Sequence, residues 1–204
     1  MIDDHLEKLA ETFRKFPGIG PRQARRFVFF LLYQDNDYRQ KLTEEIIALG
    51  EKIKQCSDCR RFFAGDNGTS LCDICSNKQI DRRYLMIVEK DVDLYNIHQA
   101  HIYNGLYFIL GGLLPLTISW DDKIKSLEYL IERIKKETDL EEIIIALSAS
   151  TEGDHTAEII KQKLSQFKDK IKISILGRGL STGTELEYSD PETIKNALKN
   201  KSIL

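Results

Sequence analysis

The 204-residue sequence has no strong excess of charge of either sign and no long uninterrupted apolar run. It contains 30 Lys and Arg against 32 Asp and Glu, for a formal net charge of −2. The chain as a whole therefore has no electrostatic attraction for polyanions, and any affinity for nucleic acid must come from local clusters of cations. The longest apolar stretch, residues 106–116, is interrupted by two glycines and a proline and falls short of the ~20 residues that span a membrane. We expect a soluble protein that makes no contact with a membrane.

The first residues also lack the features of a secretory signal. Met1-Ile2-Asp3-Asp4-His5 is acidic and polar, whereas a signal peptide begins with basic residues followed by an apolar segment. This absence predicts a cytoplasmic protein in a reducing compartment, where cysteines remain thiols and bind metal ions.

Cysteine is scarce, and its placement is the most informative feature of the chain. The four cysteines occur as Cys56-x2-Cys59 and Cys72-x2-Cys75. Two such pairs supply the four thiolates of a tetrahedral Zn²⁺ site, and a site with four protein ligands has no open position for catalysis. The spacing predicts one structural zinc ion per chain, with two disulfides as the alternative.

The sequence offers no candidate for nucleophilic catalysis. Its four histidines are far apart, and no serine or cysteine lies beside a plausible base. Residues 177–183, Gly-Arg-Gly-Leu-Ser-Thr-Gly, match neither a dinucleotide-binding fingerprint nor a phosphate loop. Their glycines are typical of a sharp turn that leaves Arg178 free to contact an acidic partner or a phosphate. We predict no catalytic residue.

The first third of the chain has the periodicity of helices. Apolar residues recur at helical spacing up to Phe16, and Pro17-Gly18-Ile19-Gly20-Pro21 must end that helix. Two more helices are predicted at about 22–32 and 38–54. Helix, Gly-x-Gly turn and helix form a helix-hairpin-helix arrangement, whose turn presents backbone N–H groups and a helix N-terminus to a phosphate.

This hairpin is locally basic. No Asp or Glu occurs between Thr12 and Gln34, although five cations do. We predict salt-sensitive DNA contacts that are weakly selective for sequence, and the alternative is an ordinary helical hairpin with a solvated basic face. The apolar residues at 27–32 are interpreted as core or inter-subunit packing. The predicted DNA-contacting residues are Lys15, Gly18, Gly20, Arg22, Arg25 and Arg26.

After the cysteines, the pattern changes to apolar runs that alternate with helices. Four strands are predicted at 84–88, 106–110, 143–147 and 171–176, with helices at 91–100, 125–137 and 157–164 between them. This alternation predicts an α/β domain with a parallel sheet covered on both faces. A last helix is predicted to begin near Pro191, after the capping candidates Ser189 and Asp190.

Acidic residues follow two of these strands. Glu89 closes the first strand, and Glu152 and Asp154 follow the third. Since the carboxyl ends of parallel strands share one edge of a sheet, the three carboxylates could converge and hold Mg²⁺. A two-metal enzyme normally has closely spaced acids directly after the strand, where this chain has Ser148 and Ser150. We favour a structural or partner-contacting role for the three acids, with capping of the following helix by residues 152–156 as a further alternative.

Six motifs follow one another along the chain. They are Phe16-Pro-Gly-Ile-Gly-Pro-Arg-Gln-Ala-Arg-Arg26, Cys56-x2-Cys59-x12-Cys72-x2-Cys75, Ile87-Val-Glu89, Gly105-Leu-Tyr-Phe-Ile-Leu-Gly-Gly112, Thr151-Glu-Gly-Asp-His-Thr156 and Arg178-Gly-Leu-x2-Gly-x2-Leu-Glu-Tyr188. In this order they closely resemble the bacterial RecR family over nearly the whole chain. Three departures are visible: Phe16 stands where the family usually has Leu, Ser148-Ala149 where it has Asn-Pro, and residues 113–120 replace a Ser-Pro-Leu-x-Gly-Ile-Gly-Pro segment.

The resemblance implies a multi-domain α/β protein. Its parts would be a helix-hairpin-helix DNA-binding module at 1–55, a four-cysteine zinc finger at 56–80, a Toprim α/β domain at 81–176 and a helical C-terminal oligomerisation segment at 177–204. It further implies a non-enzymatic mediator that acts with RecO and RecF to load RecA onto single-stranded DNA at gaps.

The same resemblance assigns roles to individual residues. Arg22 and Arg26 would contact double-stranded or gapped DNA, the four cysteines would bind Zn²⁺, and Glu89, Glu152 and Asp154 would contact RecO more than a metal. Because one hairpin binds DNA weakly at physiological salt, we predict a dimer or tetramer that clamps DNA through avidity. The alternatives are a Mg²⁺-dependent Toprim enzyme that uses the three acids and an RNA-binding zinc-ribbon module.

Overall fold

The computed structural model describes residues 4–65, 68–118, 124–180, 183 and 185–201. The chain forms two compact units, Met1–Ile53 and Lys54–Leu204. Residues 119–120 of the substituted segment and residues 181–182 of the glycine-rich turn lie outside the described residues. None of the described helices has both the length and the apolar character needed to cross a bilayer.

The first unit contains the three predicted helices. They are α1 (Asp4–Arg14), α2 (Pro21–Tyr33) and α3 (Asn36–Lys52). The N–H groups of Lys15 and Phe16 bond to carbonyls three residues back, at 3.2 and 3.1 Å, and this tightening ends α1 at Arg14 rather than at Phe16. α3 begins two residues earlier than predicted because the Asp35 carboxylate accepts a bond of 2.7 Å from the Tyr38 N–H.

The core of the first unit is small and lies between α1 and α2. Its buried members are Ala10, Ala24 and Val28, and Leu6, Phe13 and Ile19 pack against them. α3 buries no residue. Phe29, Phe30 and Leu32 are 50%, 50% and 54% exposed, so these three side chains do not belong to the core of this unit. The other interpretation of them, packing between subunits, stays a prediction.

The second unit contains a small two-stranded sheet followed by a four-stranded one. The small sheet pairs β1 (Ile53–Gln55) with β2 (Phe62–Ala64), and a short helix α4 (Asp73–Ser76) follows. The large sheet consists of β3 (Asp81–Val88), β4 (Gly105–Ile109), β5 (Glu142–Ala146) and β6 (Lys172–Ile175). Its order is β4-β3-β5-β6 and every neighbouring pair is parallel, which confirms the predicted α/β class.

Helices connect the strands of the large sheet. They are α5 (Asp91–Gln99), α6 (Lys125–Lys136) and α7 (Thr151–Leu164), and a 3₁₀ turn at Ser165–Phe167 follows α7. After β6 come a second 3₁₀ turn at Leu186–Tyr188 and the last helix, α8 (Pro191–Lys199). Asp190 caps α8, because its carboxylate accepts bonds of 3.0 and 2.9 Å from the N–H groups of Glu192 and Thr193. Of the two capping candidates, Asp190 is therefore the one used.

Alternate residues of the strands face two different cores. Leu85 and Ile87 of β3 belong to the core that includes residues of α6 and α7. Met86 and Val88 belong to the core formed with α5 and the four cysteines. Because successive side chains of a strand point to opposite faces, the sheet is apolar on both faces and its strands appear as continuous apolar runs. The cysteines are buried against one face of the sheet.

Candidate nucleic-acid interface and metal centre

The turn between α1 and α2 exposes the predicted cations. Lys15, Arg22, Arg25 and Arg26 are all exposed residues. Arg25 Nη2 lies 3.2 Å from Glu7 Oε1 on α1. Because exposed ion pairs are weak, this contact restrains the Arg25 side chain only slightly. Within the described part of the chain, Lys15 and Arg22 form no salt bridge. The hairpin therefore presents a cationic surface to solvent.

The N-terminus of α2 is open to an anionic ligand. Gly20 precedes the helix and supplies no side-chain cap, Pro21 occupies the first turn, and that turn contains no acidic residue. The first-turn N–H groups therefore lack a partner from a capping side chain, and the positive end of the helix dipole is not neutralised by an acid. Such an end binds phosphate groups well.

The two glycines of the turn differ in conformation. Gly18 has a φ of +75°, a left-handed value that residues with a Cβ adopt only at a cost. Gly20 has a φ of −83°, which any residue can adopt. A Cβ built on Gly20 would meet no atom within 4 Å. Gly18 thus serves the turn, whereas Gly20 leaves space at the helix end.

The four cysteines form a compact buried cluster. Cys56 and Cys59 lie between β1 and β2, and Cys72 and Cys75 lie at the start of α4 and within it. All four are free thiols, and their sulfurs lie within 4.8 Å of one another. The Cys59 and Cys72 sulfurs are 3.6 Å apart, close to the edge of about 3.8 Å of a tetrahedron with metal–sulfur bonds of 2.3 Å. The cluster can hold a metal ion.

The backbone around the cluster has the tight turn that such a site requires. Arg60 adopts a φ of 65°, and its N–H donates to the Cys56 carbonyl at 3.0 Å. The Cys72 N–H lies 3.4 Å from the Cys56 sulfur, an orientation that stabilises a thiolate ligand. These bonds bring the two cysteine pairs to one point.

Hydrogen bonds within the cluster pull the thiol acidities apart. Hydrogen bonds with Cys59, Cys72 and Cys75 lower the pKa of Cys56. The pKa of Cys75 is raised by hydrogen bonds with Cys56, Cys59 and Cys72 and by burial. One thiolate is thus favoured, while each further negative charge in the buried cluster is opposed. A bound cation that neutralises the sulfurs is what makes four thiolates stable together.

A network of buried charges joins the cysteine segment to α6. Arg133 of α6 is 3% exposed, and its Nη1 lies 2.6 Å from Asp58 Oδ2 and 2.7 Å from Glu137 Oε1. Arg82 donates to Glu137 at 2.9 Å and to the Cys75 carbonyl at 3.1 Å. Asp58 lies between the first two cysteines, so this network anchors both halves of the cluster. The sequence patterns described above did not predict this network.

The network had a visible signal in the sequence. On α6, Arg133 lies three residues after the buried Leu130 and beside the buried Ile134, so it falls on the apolar side of the helix. A charged residue at such a position, with an acid four residues later, indicates a buried ion pair. The identity of the distant partner, Asp58, could not be read from the spacing.

The three strand-end acids are held separately. Glu89 is 6% exposed; its Oε2 accepts from the Ser148 hydroxyl at 2.5 Å and its Oε1 lies 2.6 Å from Lys90 Nζ. Burial raises the pKa of the Glu89 carboxyl, but the bonds from Lys90 and Ser148 outweigh burial and hold that pKa below its usual value. Glu89 is therefore an ionised and already partnered carboxylate.

Asp154 has a cationic partner of its own. Both Asp154 oxygens accept from the guanidinium of Arg178, one of them at 3.3 Å. The pairing with Asp154 raises the pKa of Arg178. The Asn200 side chain donates to the Arg178 carbonyl at 2.7 Å, so this pair also fixes the end of α8. Arg178 thus meets an acid of its own chain.

Glu152 differs from the other two acids. Its side chain is exposed, and within the described ranges it forms no salt bridge. The four-cysteine cluster is the sole group of metal-ligating side chains within 4.8 Å of one another among the described residues. The side chains of Glu89, Glu152 and Asp154 therefore do not converge on one point where they could hold an ion.

Ser150, rather than the acids, caps α7. Its hydroxyl accepts from the Gly153 N–H at 3.1 Å. Gly153 is packed so closely that a Cβ there would lie 1.9 Å from the Ser148 carbonyl oxygen. Two further bonds hold residues 114–118 on α7: the Leu114 N–H donates to the Thr156 hydroxyl at 2.9 Å, and His155 Nε2 contacts the Ile118 carbonyl at 2.8 Å.

Comparisons with known proteins agree with these two units. Residues 6–49 match the family profile described as RecR, helix-hairpin-helix, and residues 83–177 match the profile described as Toprim domain. Several curated relatives are named Recombination protein RecR, among them the following three. The relative from Prochlorococcus marinus (strain MIT 9215) is 33% identical over 199 residues, which is 98% of this chain and 95% of the relative. The relative from Bacteroides thetaiotaomicron is 35% identical over 198 residues (97% and 93%), and that from Chloroherpeton thalassium is 32% identical over 202 residues (98% and 97%). A similarity of this level over nearly the full length of both chains shows that the protein belongs to the RecR family.

Proposed function

We propose that this protein is a DNA-binding mediator of recombination repair that holds the phosphate backbone through its basic hairpin. Its membership of the RecR family supports a role in DNA recombination and repair. The observation that carries the proposal is an exposed turn and second helix with no Asp or Glu between residues 12 and 34, together with an uncapped helix N-terminus, in a chain of net charge −2. Cations and N–H groups of this kind bind phosphates without reading bases.

The hairpin also explains why several copies would be needed. Four exposed cations neutralise only a few phosphates, so one hairpin binds weakly at physiological salt and loses affinity steeply as salt rises. Copies joined in a dimer or tetramer raise the effective concentration of each hairpin at the DNA. The exposed apolar side chains of α3, Ile46, Ile47 and Leu49, support an assembly through this unit. We propose such a clamp on double-stranded and gapped DNA.

We further propose that the cysteine cluster holds one structural Zn²⁺. Four cysteine sulfurs at tetrahedral spacing suit Zn²⁺, and four protein ligands leave no position for a substrate. The charge network of Asp58, Arg82, Arg133 and Glu137 would then fix the metal-bound segment to the α/β domain. In this position the ion supports folding and does no chemistry.

The strand-end acids support a contact with a protein partner. Lys90 and Ser148 engage Glu89, and Arg178 engages Asp154, so neither is free to bind a metal without losing its partner. Glu152 remains exposed for a partner. We propose that this surface contacts RecO, with RecF and RecA as further participants at single-stranded gaps. Because Glu89 and Asp154 are already paired with other side chains, the alternative function, a Mg²⁺-dependent Toprim enzyme, is less well supported.

A salt-titrated DNA-binding measurement tests the proposal. Wild-type protein and the variant Arg22→Glu with Arg26→Glu are titrated onto labelled duplex, single-stranded and gapped DNA. We expect the variant to lose DNA affinity. For the wild-type protein, the slope of log K against log salt should be about −0.9 per phosphate contact on duplex DNA and about −0.7 on single strands. Lys41→Glu with Lys52→Glu on α3 changes the charge equally and should retain most of the affinity.

Three outcomes would contradict the proposal. Retained DNA affinity in the Arg22 and Arg26 variant would remove the hairpin as the binding surface. Cleavage, relaxation or synthesis of the labelled strands by the wild-type protein with Mg²⁺ or Mn²⁺ would favour the enzyme instead. Preference for RNA over gapped DNA in competition would favour an RNA-binding module.

A further inference from the structure

The outer strand of the large sheet has an open edge. β6 is the last strand in the order β4-β3-β5-β6 among the described residues. The N–H groups of Lys172 and Leu176 donate to carbonyls beside or within β5, at 2.8 and 2.9 Å. Backbone groups alternate in direction along a strand, so those of Ile173 and Ile175 point away from β5. The edge therefore offers donors and acceptors to an added strand.

A groove of about 550 Å³ runs along this edge. Its lining comes from α7, the following 3₁₀ turn and β6. The lining residues are Lys161, Ser165, Lys168, Ile171, Lys172, Ile173 and Ile175. Three of the seven are isoleucines, and Ile175 is 54% exposed. The groove thus combines an apolar floor with a rim of lysines.

The region around the groove is strongly basic in an otherwise near-neutral protein. Residues 161–172 contain five lysines and one aspartate. Lys161 pairs with Glu158 at 3.3 Å and Lys172 with Glu142 at 3.2 Å. Both lysine side chains remain mostly exposed, at 59% and 72%, and such pairs bind weakly. The net positive potential is available to an acidic ligand.

We propose that this edge is a docking site for an extended, acidic segment of a partner protein, which would add to β6 as a further strand. The backbone of the segment would pair with Ile173 and Ile175, its apolar side chains would rest on the isoleucine floor, and its carboxylates would meet Lys161, Lys168 and Lys172. Main-chain bonds supply affinity in such strand addition, and alternate side chains supply specificity.

The chemistry of the groove favours a peptide over the other occupants. Single-stranded nucleic acid binds in a cationic groove through stacking of its bases on aromatic side chains. The lining supplies lysines but no aromatic residue. A second copy of β6 would bring lysine-rich segments face to face, and like charges across paired strands are unfavourable. This site is distinct from the hairpin, because it lies in the second compact unit.

Peptide binding to the full-length protein tests the proposal. The probe is a fluorescein-labelled ten-residue peptide of alternating Val and Glu, followed by anisotropy, with a Val and Lys peptide as the reverse-charge control. We expect the acidic peptide to bind and the basic peptide not to bind. Lys168→Glu with Lys172→Glu should weaken binding about tenfold or more, a loss of about 1.4 kcal/mol. Lys135→Glu with Lys199→Glu carries the same charge change elsewhere and should bind as the wild type does.

A backbone variant separates strand addition from plain charge attraction. Ile175→Pro removes an N–H that points away from β5, so it should weaken peptide binding while leaving the β5 pairing in place.

Failure of the acidic peptide to bind, or equal binding by the lysine variant, overturns the proposal; the lysines would then only protect the edge from pairing. A larger loss of DNA affinity in the lysine variant than in its charge control would make the groove a nucleic-acid surface, and an altered assembly mass would make it a contact between copies. Either result also overturns the proposal. Both are read from changes at the groove lysines, so neither decides whether the hairpin binds DNA.

Discussion

At the scale of single residues, the two glycines of the hairpin turn, Gly18 and Gly20, are needed for different reasons. Gly18 has positive φ, whereas Gly20 has an ordinary extended conformation with open space where a Cβ would lie. Conformational need explains Gly18 completely. It does not explain Gly20, which occupies the N-cap position of α2, where glycine is among the favoured residues. The proposed approach of a phosphate to the N-terminus of α2 would be a second reason for a glycine there.

Alanine substitutions separate these two roles. Gly18→Ala should lower the free energy of unfolding by about 1–2 kcal/mol because of the left-handed conformation. Gly20→Ala should change it by less than about 0.5 kcal/mol, because loss of a preferred cap residue and restriction of the unfolded chain offset each other. We expect Gly20→Ala nevertheless to weaken DNA binding. Urea denaturation and fluorescence anisotropy measure the two effects.

The helical Gly50 supplies the matched control for these variants. A Cβ there meets no atom within 4 Å, so Gly50→Ala should stabilise α3 slightly and leave DNA binding unchanged. Wild-type DNA affinity in Gly20→Ala would show that no phosphate approaches this glycine closely.

The predicted DNA-contacting cations at 15, 22, 25 and 26 are exposed, because a helical hairpin of this composition has nowhere to bury them. Their contact with DNA stays a prediction. The convergence of Glu89, Glu152 and Asp154 did not follow in the same way. Which cation lies opposite a carboxylate depends on distant segments, and the pairing of Asp154 with Arg178 could not be derived from spacing.

At the scale of secondary-structure elements, helix α6 has two functions. Its apolar residues Leu127, Leu130 and Ile134 pack in the sheet core, while Arg133 reaches the cysteine segment through Asp58. Two of the Arg133 side-chain nitrogens, Nε and Nη2, have no hydrogen-bond partner among the described residues. A buried guanidinium of this kind depends strongly on the carboxylates it does contact.

Truncation of the buried arginine tests this dependence. Arg133→Ala should lower the free energy of unfolding by about 3–5 kcal/mol, since it leaves Asp58 and Glu137 without their central partner. Lys136→Ala removes a neighbouring cation that is 61% exposed and 3.7 Å from Asp58, and should cost less than about 0.5 kcal/mol. Urea denaturation gives both values. Similar costs for the two variants would show that the network contributes little.

A double-mutant cycle addresses the link to the cysteine segment. If Arg133 acts through Asp58, the variant with both residues changed to Ala should be more stable than the sum of the single losses predicts, by about 1–3 kcal/mol. Strict additivity would contradict a direct coupling between α6 and the cysteine segment.

Predictions for whole elements succeeded best for the apolar strands and the longer helices. All four strands of the large sheet were predicted, because strands buried on both faces are apolar throughout. The start of β3 was missed by three residues, since Asp81, Arg82 and Arg83 are charged, yet Asp81 pairs with Gly105 of β4. β1, β2 and α4 have only three or four residues each, too few for any periodicity to appear.

At the scale of the whole molecule, the protein separates its tasks between two units. The basic hairpin belongs to residues 1–53, and the cysteine cluster and the large sheet belong to residues 54–204. The core of the first unit needs no metal, because it consists of Ala10, Ala24, Val28 and their apolar neighbours. The second unit places all four cysteines in the same core as Val88 and Ile109. Metal binding should therefore support the second unit specifically.

Removal of the proposed metal tests this division. Binding energy at a structural four-cysteine site is folding energy, so treatment with a strong chelator should lower the melting temperature of the transition that belongs to the second unit. Cys59→Ser should have the same effect and should release zinc from the purified protein. Ser57→Ala is the control, because Ser57 lies next to the cluster but supplies no metal ligand. This variant should retain both zinc and the wild-type melting curve.

The helices of the first unit provide the internal reference for this experiment. Circular dichroism should show that helical signal equivalent to α1, α2 and α3 persists after chelation, while the signal from the α/β domain melts earlier. The Cys59 carbonyl accepts from the Ile109 N–H at 2.8 Å, so loss of the cluster also removes a bond to the edge of the sheet and couples metal loss to the sheet. A melting curve that is unchanged by chelation and by Cys59→Ser would show that the cluster does not stabilise this fold.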